Sequence, residues 1–204
     1  MIEIDKAINH LKKDRILREV ILKHPKPDFK RKKDYFVSLT RAIIYQQISG
    51  KAGDSISKKF KELFPNKIPT PEKVLILKDF EFKKTGISPQ KMKYLRDLSE
   101  KFLDGTVNPK LFEKMSDEQI REHLISVKGI GRWTADMFLM FTLVREDVLP
   151  TGDLGIQKGF QRLFKLKKLP NVRKMEKMSE NWKPYRTLAS WYLWRVVDGG
   201  ENDW

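Results

Sequence analysis

The sequence contains no cysteine, and this absence removes several kinds of chemistry at once. Disulfide bonds, cysteine-ligated zinc sites, iron–sulfur clusters and cysteine nucleophiles all need a thiol, so none of them is expected. Histidine is also scarce: the chain has three, His10, His24 and His123, and no two lie four residues apart. With no HExxH pattern, a catalytic metal site is not expected either.

Long apolar segments are missing as well. The longest apolar run covers residues 137–144, far short of the roughly 20 residues that span a bilayer. Residues 1–25 carry charge throughout and lack the apolar centre of a signal peptide. We therefore expect a soluble intracellular protein with no membrane partner. It would be cytoplasmic or nucleoid-associated in a prokaryote and nuclear in a eukaryote, and we expect a monomer.

Basic charge is abundant. Lysine and arginine number 42 against 27 acidic residues, which gives a formal net charge of +15 over 204 residues. Such an excess suits a polyanionic partner, either a nucleic acid or an acidic membrane, although a solvated lysine surface would produce the same count. Five tryptophans and twelve phenylalanines indicate a packed core rather than disorder. The length allows one domain or two lobes that share an interface.

The spacing of apolar residues predicts an all-α fold, because helical periods recur and no run alternates with period two. Helix starts are marked by Thr70-Pro71, Ser88-Pro89 and Asn108-Pro109, where a capping residue precedes a proline. Ser116 and Gln119 form a capping box. The main predicted helical stretches are residues 2–23, 35–48, 133–144, 154–166 and 184–197.

Lys128-Gly129-Ile130-Gly131 forms a turn between two helical patterns. Two glycines let the backbone turn sharply and approach a ligand closely. Amides at the start of the following helix would point outward, and the helix dipole adds positive charge there. A phosphate of a nucleic-acid backbone fits that arrangement, whatever its base sequence. The alternative is an ordinary helical hairpin whose glycines only permit close packing.

Asp153 stands at the start of a helical pattern, a common N-cap position. By itself it would be interpreted as a cap. The apolar residues 148–150 before it give it a partly dry setting, in which a carboxylate interacts more strongly with nearby positive charge than it would in water.

Four separated blocks of this sequence resemble one known family. VKGIGRWTADMF followed by DVLPTGDLGIQKG closely resembles the helix-hairpin-helix DNA glycosylase superfamily, and more narrowly its 3-methyladenine DNA glycosylase II (alkylation-repair) branch. Residues 39–60 are similar to that branch's DNA-wedge helix pair, and residues 182–195 to its C-terminal helix. The resemblance implies a two-lobed all-α fold with the active site in the cleft between the lobes. We assign residues 35–145 to a six-helix lobe with the wedge and the hairpin, and residues 1–34 with 146–204 to the lobe that carries the catalytic aspartate.

The resemblance also implies roles for single residues. Asp153 occupies the position of the catalytic aspartate. Trp133 stands where members that also cleave the backbone have a lysine, so no Schiff base can form there; it would instead form a wall of the base pocket, unless it only packs in the core. Trp194 matches the family's other pocket tryptophan. Met137 replaces an aromatic residue of some relatives, and Tyr45 is a further pocket candidate for which a core position is favoured.

The remaining implied roles concern DNA contacts. Gln47 aligns with the residue that fills the space left by an extruded base, with Ile48 as the alternative wedge; the other interpretation is that Gln46 and Gln47 only end a helix. Ser49 and Lys51 begin the next helix and could hold a phosphate. Some family members hold a sodium or potassium ion with hairpin carbonyls, here those of Ile125, Val127 and Ile130. The predicted DNA contacts of the hairpin are Lys128, Gly129, Ile130, Gly131 and Arg132.

These observations predict a monofunctional DNA glycosylase that acts on double-stranded DNA containing alkylated bases. It would hydrolyse the N-glycosidic bond of 3-methyladenine and 7-methylguanine after base flipping and so initiate base-excision repair, with no cofactor and no catalytic metal. One alternative is a noncatalytic helix-hairpin-helix protein that binds damaged DNA. Another is a glycosylase for an oxidised or deaminated base, although such neutral bases need more help to leave and no second carboxylate stands in an obvious acid position.

Overall fold

A computed structural model describes residues 2–198, and within that range all regular secondary structure is helical. It contains twelve α-helices and three short 3-10 turns, with no strand in the described part. The predicted all-α class is confirmed. A search of the same residues for a helix of sufficient length and apolar character to cross a membrane finds none.

The chain divides into two compact units. The first, which we call the hairpin unit, is Lys32–Phe138; the second, the aspartate unit, combines Met1–Arg31 with Leu139–Trp204. The boundaries expected from the sequence, after residues 34 and 145, lie further along the chain. Helix α9, Arg132–Phe141, contains the second boundary and carries the chain from one unit into the other.

The hairpin unit is built around helix α7, Pro89–Leu103, against which helices α3, α5 and α6 pack. Its core consists of large side chains with essentially no exposed surface, among them Leu39, Phe60, Phe82 and Phe112. The helices of this unit before α9 are α3 Tyr35–Tyr45, α4 Gly50–Lys61, α5 Pro71–Ile76, α6 Asp79–Thr85, α7 and α8 Asp117–Ile125.

Side-chain caps set where most of these helices begin, as the sequence predicts. The predicted caps Thr70, Ser88 and Ser116 each accept a hydrogen bond from an amide in the first turn of the helix that follows. Ser49, which was not predicted as a cap, does the same for α4. Ser116 and Gln119 form the predicted capping box. Asn108 caps only a 3-10 turn rather than an α-helix.

The aspartate unit contains helices from both ends of the chain. Its core includes Trp182, which is fully buried and stacks on Phe160 with ring centroids 5.3 Å apart. The predicted helical stretch 2–23 is two helices, because Asp14 caps the second one. The helices wholly in this unit are α1 Ile4–Leu11, α2 Arg15–Lys23, α10 Leu154–Leu163, α11 Val172–Met178 and α12 Arg186–Asp198.

Helices α10 and α12 pack closely, and a glycine makes this possible. A Cβ added at Gly159 would lie 2.8 Å from the carbonyl oxygen of Leu193, closer than real side chains approach backbone. The glycine therefore lets the two backbones meet and fixes α12 against the helix that begins after Asp153.

Candidate active site and nucleic-acid interface

The predicted hairpin is present in the hairpin unit: α8 ends at Ile125 and α9 begins at Arg132. Gly129 has a φ of 83°, and a Cβ there would overlap the ring of Tyr94, so only glycine fits. At Gly131 an added Cβ would meet no atom within 4 Å. Its lack of a side chain is not needed for packing, and this supports the prediction that a ligand approaches the backbone there.

Two hairpin residues proposed to contact DNA are used within the protein. The side chain of Ile130 is only 3% exposed, and its amide donates to the carbonyl oxygen of Val127 at 3.0 Å. Arg132 makes a two-pronged ion pair with Glu118, at 3.0 and 3.2 Å. Sequence reasoning could not see either contact, since both depend on how the turn folds back.

A charged network joins the two helices of the hairpin. Glu118 on α8 binds both Arg121 and, on α9, Arg132, while Arg121 Nε lies 2.6 Å from Asp136 Oδ1 on α9. Burial raises the pKa of Asp136 above its usual value, and the hydrogen bond from Arg121 opposes that shift. The hydrogen bond from Arg132 lowers the pKa of Glu118. Because the pair of Arg121 and Asp136 is largely buried, it resists screening by salt.

The turn after α3 carries the predicted wedge. Gln47 is exposed and has a φ of 57°, a left-handed conformation that costs a residue other than glycine on the order of 1–3 kcal/mol. Such a conformation persists only where neighbouring structure holds it. Ile48 is half-buried, Ser49 caps α4 and Lys51 is exposed on its first turn. The wedge turn touches the hairpin directly, because Gln46 Nε2 donates to the carbonyl oxygen of Gly129 at 2.8 Å.

Tyr45 packs across α4. Its hydroxyl donates to Asp54, Arg41 lies 4.0 Å above its ring, and a Cβ at Gly53 would come within 2.6 Å of the ring. Burial raises the pKa of Tyr45, and the hydrogen bond to Asp54 acts in the same direction. These contacts account for the side chain without a role in base recognition, so its assignment to the pocket stays a prediction.

In the aspartate unit, Asp153 is the N-cap of α10, as the sequence indicated. Its Oδ1 accepts a hydrogen bond from the amide of Ile156 at 2.8 Å and another from Trp194 Nε1 at 2.9 Å. The carboxylate is half-buried, and the preceding Val148 and Pro150 are buried. Two donors on one oxygen fix the direction of the carboxylate, so its negative charge has a defined position.

Trp194 belongs to α12, and its indole lies beside Asp153. Only 4% of its surface is exposed, and its ring centroid is 5.9 Å from that of Phe141. Its indole nitrogen donates to Asp153, and its place in the base pocket stays a prediction. The approach depends on Gly155, which the sequence reasoning missed: a Cβ there would lie 2.9 Å from both Asp153 Oδ1 and Trp194 Cδ1. The signal that could have revealed it is the presence of glycine, a poor helix former, in the first turn of a helix.

Trp133 and Met137 lie one turn apart on α9 and so share a face of that helix. Trp133 is 43% exposed, so the alternative that it is a core residue is wrong. Met137 is half-buried. Within the described residues, no group of three or more His, Asp or Glu side chains could hold a metal ion.

Comparison with known proteins identifies the family. The family model described as HhH-GPD superfamily base excision DNA repair protein matches residues 40–184. The chain belongs to this superfamily. DNA-3-methyladenine glycosylase 1 of Schizosaccharomyces pombe is 40% identical over 168 residues, which cover 81% of this chain and 73% of the relative. DNA-3-methyladenine glycosylase of Saccharomyces cerevisiae is 35% identical, covering 80% and 67%.

Solved structures of the HhH-GPD superfamily match as well. The S. pombe 3-methyladenine DNA glycosylase Mag1 in complex with abasic DNA gives a TM-score of 0.80 at 34% identity, covering 93% of this chain and 95% of that one. A DNA-3-methyladenine glycosidase from Bacillus halodurans gives 0.85 at 30% identity, covering 98% and 92%. The resemblance to the helix-hairpin-helix glycosylases and their alkylation-repair branch is thereby confirmed.

Proposed function

We propose that this protein is a monofunctional DNA glycosylase that releases alkylated purines, chiefly 3-methyladenine and 7-methylguanine, and so initiates base-excision repair. Double-stranded DNA containing such bases is its partner, and it acts inside the cell as a monomer. The observation that carries the proposal is Asp153, oriented by the amide of Ile156 and the indole of Trp194 in a chain whose relatives bear the name of 3-methyladenine DNA glycosylase.

The chemistry needs one well-placed carboxylate. Breaking the bond between a base and C1′ passes through an oxocarbenium-like state, and the negative charge of Asp153 stabilises the positive charge on the sugar. The same carboxylate orients or deprotonates the attacking water. A purine alkylated on its ring already carries positive charge and leaves readily, so no separate general acid is required.

DNA is held by the hairpin unit. The exposed backbone around Gly131, at the start of α9, binds a phosphate with help from Lys128, and Ser49 and Lys51 bind another at the start of α4. Gln47 fills the space that the extruded nucleotide leaves. The exposed indole of Trp133 attracts a cationic base through its electron-rich face, and stacking of this kind contributes roughly 1–3 kcal/mol per base.

A monovalent cation would fit the same turn. The carbonyl oxygens of Ile125, Val127 and Ile130 would hold sodium or potassium, since oxygen ligands suit such ions and the Val127 oxygen, which accepts one hydrogen bond from Ile130, keeps a second lone pair. Bound there, the ion would add positive charge beside the phosphate.

Strand cleavage is not part of the proposed activity. Lyase action in this superfamily would need an amine at the position two after Gly131, and Trp133 occupies it. The neighbouring Arg132 cannot replace a lysine, because a guanidinium stays protonated.

The test is incubation of the purified protein with a methylated duplex, followed by chromatographic identification of the released base. Free 3-methyladenine, with a strand that breaks only after alkali, is the expected result. Strand breakage without alkali would overturn the monofunctional assignment. No release from the methylated duplex, with release from a parallel duplex that carries an oxidised or deaminated base, would change the substrate class. Tight binding to damaged DNA without release of any base would make the protein a noncatalytic binder.

A further inference from the structure

One side of α7 contacts both DNA-binding turns of the hairpin unit. Lys91, Tyr94 and Asp97 recur at every third position of this helix, so their side chains lie along one side of it. Lys91 reaches the wedge turn, and the other two reach the hairpin turn. None of the three has a place in the proposed chemistry, so the chemistry does not account for their contacts with the two turns.

Lys91 holds the end of α3. Its Nζ donates to the carbonyl oxygens of Ile44 at 2.6 Å and Gln46 at 2.8 Å. Carbonyls in the last turn of a helix have no partner within the helix, and a cation there also interacts well with the helix dipole. The second of these carbonyls belongs to the residue directly before Gln47, whose backbone is left-handed.

Tyr94 and Asp97 hold the hairpin turn. The ring of Tyr94 lies directly against Gly129. Asp97, which is 8% exposed, accepts a hydrogen bond from the amide of Lys128 at 2.8 Å, and its other oxygen lies 3.2 Å from Lys128 Nζ. The hydrogen bond from Gln46 to Gly129 joins the two turns to each other. The wedge turn, the hairpin turn and α7 therefore each contact the other two.

We infer that Lys91 is a positioning residue for base extrusion: it holds Gln47 in its left-handed conformation and at a fixed offset from the phosphate-binding hairpin. This inference rests on the proposed function. Its physical basis is that the wedge must enter the base stack at a set distance from the phosphate that the hairpin binds. Without Lys91 the turn is free to relax, and part of the binding free energy is then used to restore it.

The experiment compares Lys91→Met with Lys93→Met. Both variants lie on α7 and each loses one positive charge, but Lys93 is exposed and has no assigned role. Base release is measured under single-turnover conditions from a duplex with a paired lesion and from one in which the lesion faces an abasic site. The second substrate needs less extrusion, because its base is already unpaired. Melting temperatures are recorded for all variants.

We expect Lys91→Met to slow release from the paired lesion by about tenfold, to slow release from the unpaired lesion much less, and to add no further loss in a Gln47→Ala background. Lys93→Met should match the wild type on both substrates. Equal losses on both substrates would overturn the inference, and so would a full additional loss on top of Gln47→Ala, since Lys91 would then not act through the wedge. Wild-type rates in Lys91→Met would overturn it directly.

Two further measurements keep the inference testable under other outcomes. If Lys91→Met does not fold, Gln46→Leu removes the hydrogen bond between the two turns instead. It should slow release from the paired lesion more than release from the unpaired one, and equal rates of loss would overturn the inference.

If the wild type releases no base at all, the proposed function fails, and 2-aminopurine placed beside an abasic-site analogue still reports wedge insertion on binding. In that case an equal fluorescence change for wild type and Lys91→Met would overturn the inference, and a reduced one would support it.

Discussion

Asp153 and Asp14 have similar surroundings, although only one of them is assigned to catalysis. Asp14 caps α2 and accepts a hydrogen bond from Trp182 Nε1 at 2.8 Å, just as Asp153 caps α10 and accepts one from Trp194. Capping and a tryptophan partner therefore do not identify a catalytic aspartate in this chain. What distinguishes Asp153 is its position in the family motif, and this makes Asp14 a matched internal control.

Replacing Asp153 by Asn should separate its charge from its role as a cap. Asparagine caps helices about as well as aspartate, so the melting temperature should stay close to that of the wild type. Loss of the negative charge opposite the developing oxocarbenium ion should slow base release by at least about a hundredfold. Single-turnover release, duplex affinity and thermal melting measure the three effects.

Asp14→Asn is the control for that variant, because it makes the same chemical change at a cap that also binds an indole. It should retain wild-type base release. A slow Asp14→Asn protein would show that the loss at position 153 reflects general damage, and an active Asp153→Asn protein would remove Asp153 from the mechanism.

Gly155 offers a second test at the scale of single residues. Alanine normally stabilises a helix relative to glycine by about 1 kcal/mol, but here its Cβ would lie 2.9 Å from Asp153 Oδ1 and from Trp194 Cδ1. We expect Gly155→Ala to shift both groups and to slow base release about tenfold. Duplex affinity, measured in parallel, should not change. Undiminished release would mean that the orientation of Asp153 does not depend on this close approach.

At the scale of structural elements, the hairpin turn contains two glycines, and a side chain would have a different effect at each position. Gly129 is required by the protein itself, because of its positive φ and the ring of Tyr94. Gly131 faces open space. The two positions therefore separate the stability of the turn from its contact with a ligand.

We predict that Gly131→Ala keeps the wild-type melting temperature and weakens binding to duplex DNA about tenfold, the loss of roughly one charge-assisted hydrogen bond. Gly129→Ala should lower the melting temperature and weaken binding together. Fluorescence anisotropy and thermal melting distinguish the two patterns. Wild-type affinity in Gly131→Ala would exclude phosphate binding at that backbone.

The elements that the sequence predicted well are those governed by local rules. Caps at Thr70, Ser88 and Ser116 depend on residues two to four positions away, and such rules can be applied without a structure. The end of the helix predicted for residues 35–48 was placed too late: α3 stops at Tyr45, because the backbone leaves the helical conformation at Gln46, whose ψ is 131°. Lys91, more than forty positions along the chain, then binds the carbonyl oxygens at that end.

The contacts that the sequence did not reveal join residues far apart along it. The partners Asp97 and Lys128, and Gln46 and Gly129, are 31 and 83 positions apart. The wrong alternative for Trp133 has the same origin, because its position in the apolar pattern of α9 does not show that the fold leaves this side chain exposed. Asp153 was proposed as the catalytic residue from its position in the family motif and the apolar residues before it, because its local pattern alone indicates a helix cap.

For the molecule as a whole, charge sets the character of DNA binding. A net charge of +15 predicts affinity that falls steeply as salt rises, since each neutralised phosphate releases counterions. Lys128, whose side chain is 74% exposed, should account for one such contact. We therefore expect Lys128→Met to reduce the slope of log K against log salt by about 0.9, and to weaken binding to all duplex sequences alike.

A salt titration of duplex affinity, for wild type and Lys128→Met, checks this expectation. Lys93→Met serves as a comparison, since it removes an exposed charge on α7 with no assigned DNA contact. A slope that does not change in Lys128→Met, or one that changes as much in Lys93→Met, would show that the charge near the hairpin is not in contact with phosphate.

The cap that Asp153 supplies to α10 has a consequence for laboratory evolution of this enzyme. Serine and asparagine serve as helix caps as well as aspartate does, so a library sorted only for solubility or heat resistance has no reason to retain the carboxylate. On the proposed mechanism, such a screen would not exclude well-folded proteins that bind DNA and release no base. Selection for higher thermal stability in this protein therefore needs an assay of base release at each round.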